Sequence, residues 1–339
     1  MKARARGKRA LERDRLVLDS ILAEADLGGV DQLGMVAVAR RAGLTAGSVY
    51  ARHENVAELV VALWLERCAA PTLEVVAGAV DVALGGHTGV DLVDAVVRRA
   101  PSHVVGVELI SMARRHPELT EELVPAIDSI LRWSERDTVE KVRIATVLGL
   151  TLGGLVHGGS SAPDATRWIP VFEQVRSATA AEPEMSTTPW NPVPGRPVRA
   201  VTGEPLRDAL LNAACSVIGK SGLAAATNSR IARRAGLTPG AVYTRYDAKD
   251  DLVIDALRVL LDEAISDNDP VTAGLDSAER MGLAAAQLLS RGGGDERRPW
   301  LEFRLEVYLA ATHRRDLAAL LDEFHDKGRD RYERLLEPA

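Results

Sequence analysis

Apolar residues return every three or four positions through most of this chain, the period of a helix that buries one face. The pattern predicts helices over Leu16–Leu27 and Leu206–Ile218, each ending near glycine (Gly28-Gly29, or Gly219 and Gly222). Further helices are expected over Val90–Ala100, Ser102–Arg115, Leu119–Arg136, Thr138–His157 and Asp164–Ala181, mostly separated by glycine, proline or polar breaks. Between Glu182 and Pro205 the helical pattern stops, with Pro183, Pro189, Pro192, Pro194, Pro197 and Pro205 in one run. A proline-rich linker of that length reaches on the order of 70 Å at about 3.1 Å per residue, enough to cross a domain.

One window recurs at an offset of 193 residues: Val38 to His53 and Ile231 to Tyr246 share eleven identities in sixteen pairs. An offset of domain size points to duplication of a whole unit rather than a short solenoid repeat. Val38, Ala39 and Ala42, with Ile231, Ala232 and Ala235, make a small apolar face at helical spacing. Gly43 and Gly236 then end that helix, and Leu44 and Leu237 can bury in the turn. Thr45 and Thr238 offer side-chain oxygens to cap a new helix, Pro239 suits its first position, and Val49 and Val242 face inward. Two capped helices around a turn glycine are the sequence form of a helix-turn-helix.

The string A-x-R-A-G-L-T-x-G-x-V-Y, preceded by a helix and followed by a break and another helix, resembles the N-terminal domain of TetR-family regulators. The resemblance covers about fifty residues twice. It implies an all-α fold of two TetR-like units, each a three-helix helix-turn-helix domain followed by a helical ligand and dimerisation domain. The expected boundaries are 1–56 for the first DNA-binding domain with a basic arm, 57–181 for its helical domain, 182–205 for the linker, 206–249 for the second DNA-binding domain and 250–339 for a shortened second helical domain.

In the family the second helix of the motif enters the major groove, where base edges carry a full donor and acceptor code. Carried over, the DNA-binding set is Thr45, Ala46, Gly47, Ser48, Tyr50, Ala51 and Arg52 in the first copy. In the second it is Thr227, Thr238, Pro239, Gly240, Ala241, Tyr243, Thr244, Arg245 and Lys249. Gly47 and Gly240 allow close backbone approach, Arg52 and Arg245 suit guanine or phosphate, and Tyr50 and Tyr243 suit phosphate. The copies differ: the family pattern continues with an aromatic and then a lysine, which Tyr246 and Lys249 keep and His53 and Val56 do not. A weaker first grip is expected, helped by the basic stretch Lys2 to Arg15. Asn55 with Glu58 forms a capping box for the next helix, and Asp247 is the matching cap candidate in the second copy.

The family resemblance also assigns the last two helices of the first unit to a dimerising four-helix bundle. Ala145, Gly149 and Gly153 give that region a small-residue ridge, so a homodimer through 138–181 is one expectation. Aligning His116-Pro117-Glu118-Leu119 with Arg314-Arg315-Asp316-Leu317 places Ala339 near Lys141, which leaves the second copy without counterparts of those helices. Two arrangements remain open: a single-chain pseudo-dimer with a shortened second domain, or two chains joined through the first bundle.

Composition sharpens this picture. The hydrophobic share is 46% but only 4% of residues are aromatic, so Leu, Val, Ala and Ile must build the cores. A net charge of −6 argues against a uniformly basic coat protein, yet basic residues gather in Met1–Arg15 and Leu206–Lys249. No apolar run approaches a membrane span and no signal core follows the N-terminus, so a cytoplasmic location is expected. Cys68 and Cys215 stand far apart and suit buried apolar roles. No metal-ligand cluster, cofactor fingerprint or catalytic constellation emerges, and an enzyme is not expected. His103, Glu108, Met112, Trp133 and His157, or Trp300, Phe303, Tyr308 and His313, lie on plausible inner helices, though core roles are the commoner use of such residues. The expected function is a ligand-responsive repressor binding double-stranded operator DNA and a small-molecule effector. The alternative is a DNA-binding protein whose helical domains only dimerise or recruit a partner.

Overall fold

The computed structural model describes residues 2–86, 91–156, 169–174, 177, 195–272, 287, 291 and 294–336. Every regular element among them is helical. The chain divides into two compact units, Met1–Pro183 and Glu184–Ala339. Cys68 and Cys215 are buried free thiols, each pushed up to about 12 by burial.

The first unit opens with α1 (Lys2–Gly28), a 3-10 turn (Val30–Gln32), α2 (Met35–Arg41) and α3 (Ala46–Tyr50). The chain continues through α4 (Val56–Leu63), a π turn (Trp64–Cys68), α5 (Ala69–Ala83), α6 (Leu92–Arg98), α7 (Pro101–Met112), α8 (Pro117–Leu131) and α9 (Thr138–Val156). Where the sequence suggests a basic arm ahead of a helix at Leu16, α1 is one element of 27 residues. The stretch is rich in Ala, Arg, Lys, Leu and Glu, all strong helix formers, and a single Gly7 does not offset them. The side chains of Lys2, Arg4, Arg6, Lys8 and Arg9, like His157 and most of Asp164–Ala181, lie outside the described residues.

Val17, Ile21 and Ala25 of α1 are fully buried together with Val38, Val49, Leu59 and Leu63, and the same cluster takes in Val105, Leu109 and Met112 of α7 and Leu119 of α8. Each such Leu or Val contributes about 1.5 to 3 kcal/mol through burial. One continuous core therefore joins the three-helix motif to the helices behind it.

The second unit is built from α10 (Pro205–Ser221), α11 (Asn228–Arg234), α12 (Pro239–Tyr243), α13 (Lys249–Thr272), α14 (Arg298–Ala311) and α15 (Arg315–Leu336). Its core gathers Leu210, Leu211, Ile218, Ile231, Val242, Leu252, Leu257, Phe303 and Leu317. Leu119 and Leu317, matched in the sequence, are both fully buried in the first turns of α8 and α15. Of the expected linker, 182–194 lies outside the described residues and Pro205 is already helical. Its end is not a loose tether: the Asn212 side chain receives the Ala200 amide at 2.9 Å and donates to the Ala200 carbonyl at 3.2 Å. Asp208 accepts the Thr202 amide and hydroxyl at 2.8 and 2.6 Å, which hold its carboxyl below the usual range.

Candidate nucleic-acid interface

The turn between the two motif helices closes the same way in both units. Gly43 and Gly236 adopt φ of 64° and 73°, a region that penalises a side chain. Their amides donate to Arg40 and Arg233 carbonyls at 3.2 and 3.1 Å, while Leu44 and Leu237 donate to Ala39 and Ala232 at 2.9 and 2.8 Å. This paired five-to-two and six-to-one bonding is the Schellman ending, and it sets the direction in which α3 and α12 leave.

Those helices then present their N-terminal ends. Thr45 caps α3 by accepting the Ser48 amide at 3.3 Å, with the Ser48 hydroxyl 2.9 Å away. The expectation of an equivalent cap is corrected at Thr238, which stands at the N-cap of α12 without a side-chain cap bond. Ala241 replaces Ser48 there, and Pro239 presets the first turn without it. Thr227 caps α11, accepting the Arg230 amide at 3.2 Å. Thr45, Gly47, Tyr50 and Ala51 are exposed and Ala46 and Ser48 are half-buried; in the second unit Thr227, Thr238, Pro239, Gly240, Tyr243, Thr244 and Arg245 are exposed and Ala241 is half-buried. Tyr50 and Tyr243 are 51% and 62% exposed, unusual for rings, while Val49 and Val242 beside them are fully buried. Thr244 donates back to the Ala241 carbonyl at 2.7 Å, so its hydroxyl stays close to its own helix.

Two carboxylates that the sequence reading did not single out restrain the arginines. Arg52 donates to Asp14 of α1 at 2.6 Å and to the Ser48 carbonyl at 2.6 Å. Arg245 pairs with Glu204, just before α10, at 2.6 Å. Separations of 38 and 41 residues hide both pairs from any local pattern. Lys249, one of the expected DNA-binding residues, is half-buried and donates to the Leu223 carbonyl at 2.9 Å, which ties the start of α13 to the turn that follows α10.

Beneath the motif the units diverge. Tyr246 is buried, not presented to DNA, and donates to Asp255 at 2.6 Å, while Arg207 grips the same carboxylate at 2.6 and 2.9 Å. Burial works against the charge on Asp255, but the Arg207 and Tyr246 hydrogen bonds outweigh it and hold the carboxyl below its ordinary range. Burial and the Asp255 contact push Tyr246 up to about 12. The positions corresponding to Arg207, Tyr246 and Asp255 in the first unit are Asp14, His53 and Ala62, at the same offset of 193. Those three line an open groove of about 780 Å³ with Arg52, Glu66 and Arg67. Partial burial lowers the His53 pKa. In the next helix Asn55 accepts the Glu58 amide at 3.0 Å and Glu58 reaches back to the Glu54 amide at 2.8 Å, a capping box shifted by one residue. In the second unit Asp251 receives the Ala248 amide at 3.0 Å at the equivalent helix start.

The candidate effector residues separate into core and edge. Met112, Trp300 and Phe303 are buried apolar packing, Trp133 is 40% exposed, and His103, Tyr308 and His313 are half-buried. Glu108 is buried and accepts the Val30 amide at 2.8 Å. Among the described residues there is no cluster of three metal-ligating side chains, and no helix is long and apolar enough to cross a membrane.

Residues 210–256, from α10 into α13, match the family model described as "Bacterial regulatory proteins, tetR family". The chain is also similar to an "HTH-type transcriptional regulator AqdR" of Rhodococcus erythropolis, 29% identical over 167 residues that cover 46% of this chain and 76% of that protein. These findings support a DNA-binding transcriptional regulator that carries a TetR-type domain in its second unit.

Proposed function

We propose that the chain is a ligand-responsive repressor with two non-identical reading heads, one in each unit, and no catalytic role. The observation that carries this reading is the recurrence of one turn geometry beneath two edges of different chemistry: Ala46, Ser48 and Ala51 against Pro239, Ala241 and Thr244. Each head meets double-stranded DNA through the major groove, and the shared Arg52 and Arg245 contribute one common base or phosphate preference. Ligand response is supported by the continuous packing between α1 and α7, through which a shift in the helical domain would reach the head. Selection from random DNA tests the reading: a site with one shared step in both halves and divergence around it is expected. A perfect palindrome would mean that equivalent heads of two chains pair on DNA.

The exposed face of α9 favours a homodimer as the assembly. Val142, Ala145, Thr146, Gly149 and Gly153 are all exposed on it, and a side-chain carbon at Gly149 or Gly153 would meet nothing within 4 Å. A small-residue face of this kind admits close packing of a second helix. Sedimentation of the intact chain, with and without Gly149→Leu, reads this directly: the substitution is expected to shift the chain toward monomer. The alternative function, in which the helical domains only dimerise or recruit a partner, predicts that no small molecule changes operator affinity.

A further inference from the structure

We propose that Arg291 and Arg297, gathered on Asp267 of α13 with Arg196 at the rim, form an oxyanion-binding site in the second unit. It takes the carboxylate or phosphate group of a small molecule. Asp267 accepts Arg297 Nη2 at 2.9 Å and Arg291 Nη2, and Arg196 Nε lies 3.3 Å from its other oxygen. Arg291 also donates to the Asp267 carbonyl at 2.8 Å, and Arg297 Nη1 stands 3.5 Å from Asn268 Oδ1.

Among the described residues the charges here do not balance. The Arg291 and Arg297 side chains are only 3% and 7% exposed, and Asp267 is the one carboxylate paired with them among the described residues. An arginine cannot shed its proton to escape burial, as lysine can, so the excess positive charge persists. Buried charge without a counter-ion is among the costliest arrangements in a fold. The Nε atoms of both arginines are also enclosed without a hydrogen-bond partner, as is Asp267 Oδ1, which meets Arg196 only at ion-pair distance. An oxyanion offers both the charge and the acceptor oxygens that guanidinium edges take up. Burial, chiefly, and then the neighbouring Arg291 lower the Arg297 pKa against the pull of Asp267.

The extended segment ahead of α10 completes the site. A side-chain carbon at Gly195 would fall 2.8 Å from Arg297 Cδ and 2.9 Å from the Arg291 carbonyl, so only glycine lets the backbone lie this close. The next residue, Arg196, is 80% exposed and sits where an entering anion meets solvent.

This site goes beyond the DNA-binding reading and is tested without DNA. Thermal unfolding and calorimetry of the intact chain should compare sodium phosphate and sodium acetate with sodium chloride at matched ionic strength. Saturable stabilisation by phosphate alone assigns a phosphate-bearing ligand, and stabilisation by acetate assigns a carboxylate. Arg297→Gln should weaken that binding roughly tenfold or more, the loss of one charge-assisted hydrogen bond. Arg196→Gln, at an exposed position that folding tolerates, should weaken it by a smaller factor, and Arg245→Ala in the DNA-reading motif should leave it unchanged. No stabilisation beyond chloride overturns the proposal. So does a response that survives in both Arg297→Gln and Arg196→Gln, or one that disappears in Arg245→Ala.

Discussion

Glu108, in the middle of α7, accepts the backbone amide of Val30, in the turn that follows α1, at 2.8 Å and inside the core. A second tie runs beside it, where Arg115 grips Asp31 at 3.1 Å. The turn that feeds α2 is thus bonded to α7 and the residues just after it, and not only packed against them. Glu108→Leu strands the Val30 amide and should destabilise the first unit by about 1 to 3 kcal/mol, whereas Glu108→Gln keeps an acceptor and should cost less. Chemical denaturation of the two variants checks this; equal losses would remove the hydrogen bond from the account.

Asp14 holds Arg52 at 2.6 Å, and under the proposed function it competes with DNA for the guanidinium. Asp14→Asn should raise DNA affinity and steepen its salt dependence, because one arginine becomes available to phosphate and one repelling charge is lost. Binding isotherms across a salt series read the change. Identical slopes in wild type and variant would place Arg52 outside the interface.

Lys249 is tied to the Leu223 carbonyl at 2.9 Å, and an ammonium carries three donors, so the same group can also meet a phosphate. Lys249→Ala should weaken binding to all DNA sequences alike and reduce the salt slope by about one unit. It should also cost about 0.5 to 1.5 kcal/mol of stability through the lost carbonyl bond. A stability loss with an unchanged slope would mark Lys249 as purely structural.

The Arg207, Asp255 and Tyr246 cluster makes the second unit acid-sensitive. Asp255 has a folded pKa below its unfolded value of 3.8, so its contribution is fully present above that value and is lost as pH falls through the lower, folded one. The stability of the wild type should therefore drop more steeply below about pH 4 than that of Asp255→Asn, which lacks the titrating group. Parallel unfolding curves for the two proteins between neutral and acid pH would show that the cluster is not coupled to folding.

Local order was written in the amino-acid sequence wherever neighbours decide the conformation. Gly43 and Gly236 had to end their helices, Thr45 and Asn55 had to cap the next ones, and the spacing of Val49 and Val242 marked the buried side of α3 and α12, because every one of these effects acts within about four residues. The continuation of α1 back to Lys2 was also a matter of local propensity, in which the helix-forming residues around Gly7 outweighed the charge that suggested a free arm. The tertiary structure alone decided what the side chains do once helices cross. It paired Arg52 with Asp14 and Arg245 with Glu204, turned Tyr246 inward onto Asp255, bound Lys249 to the Leu223 carbonyl just past α10, and assembled three arginines around Asp267. Such partners lie many residues apart, and electrostatic and hydrogen-bond choices of this kind depend on distances that exist only after the hydrophobic faces have packed.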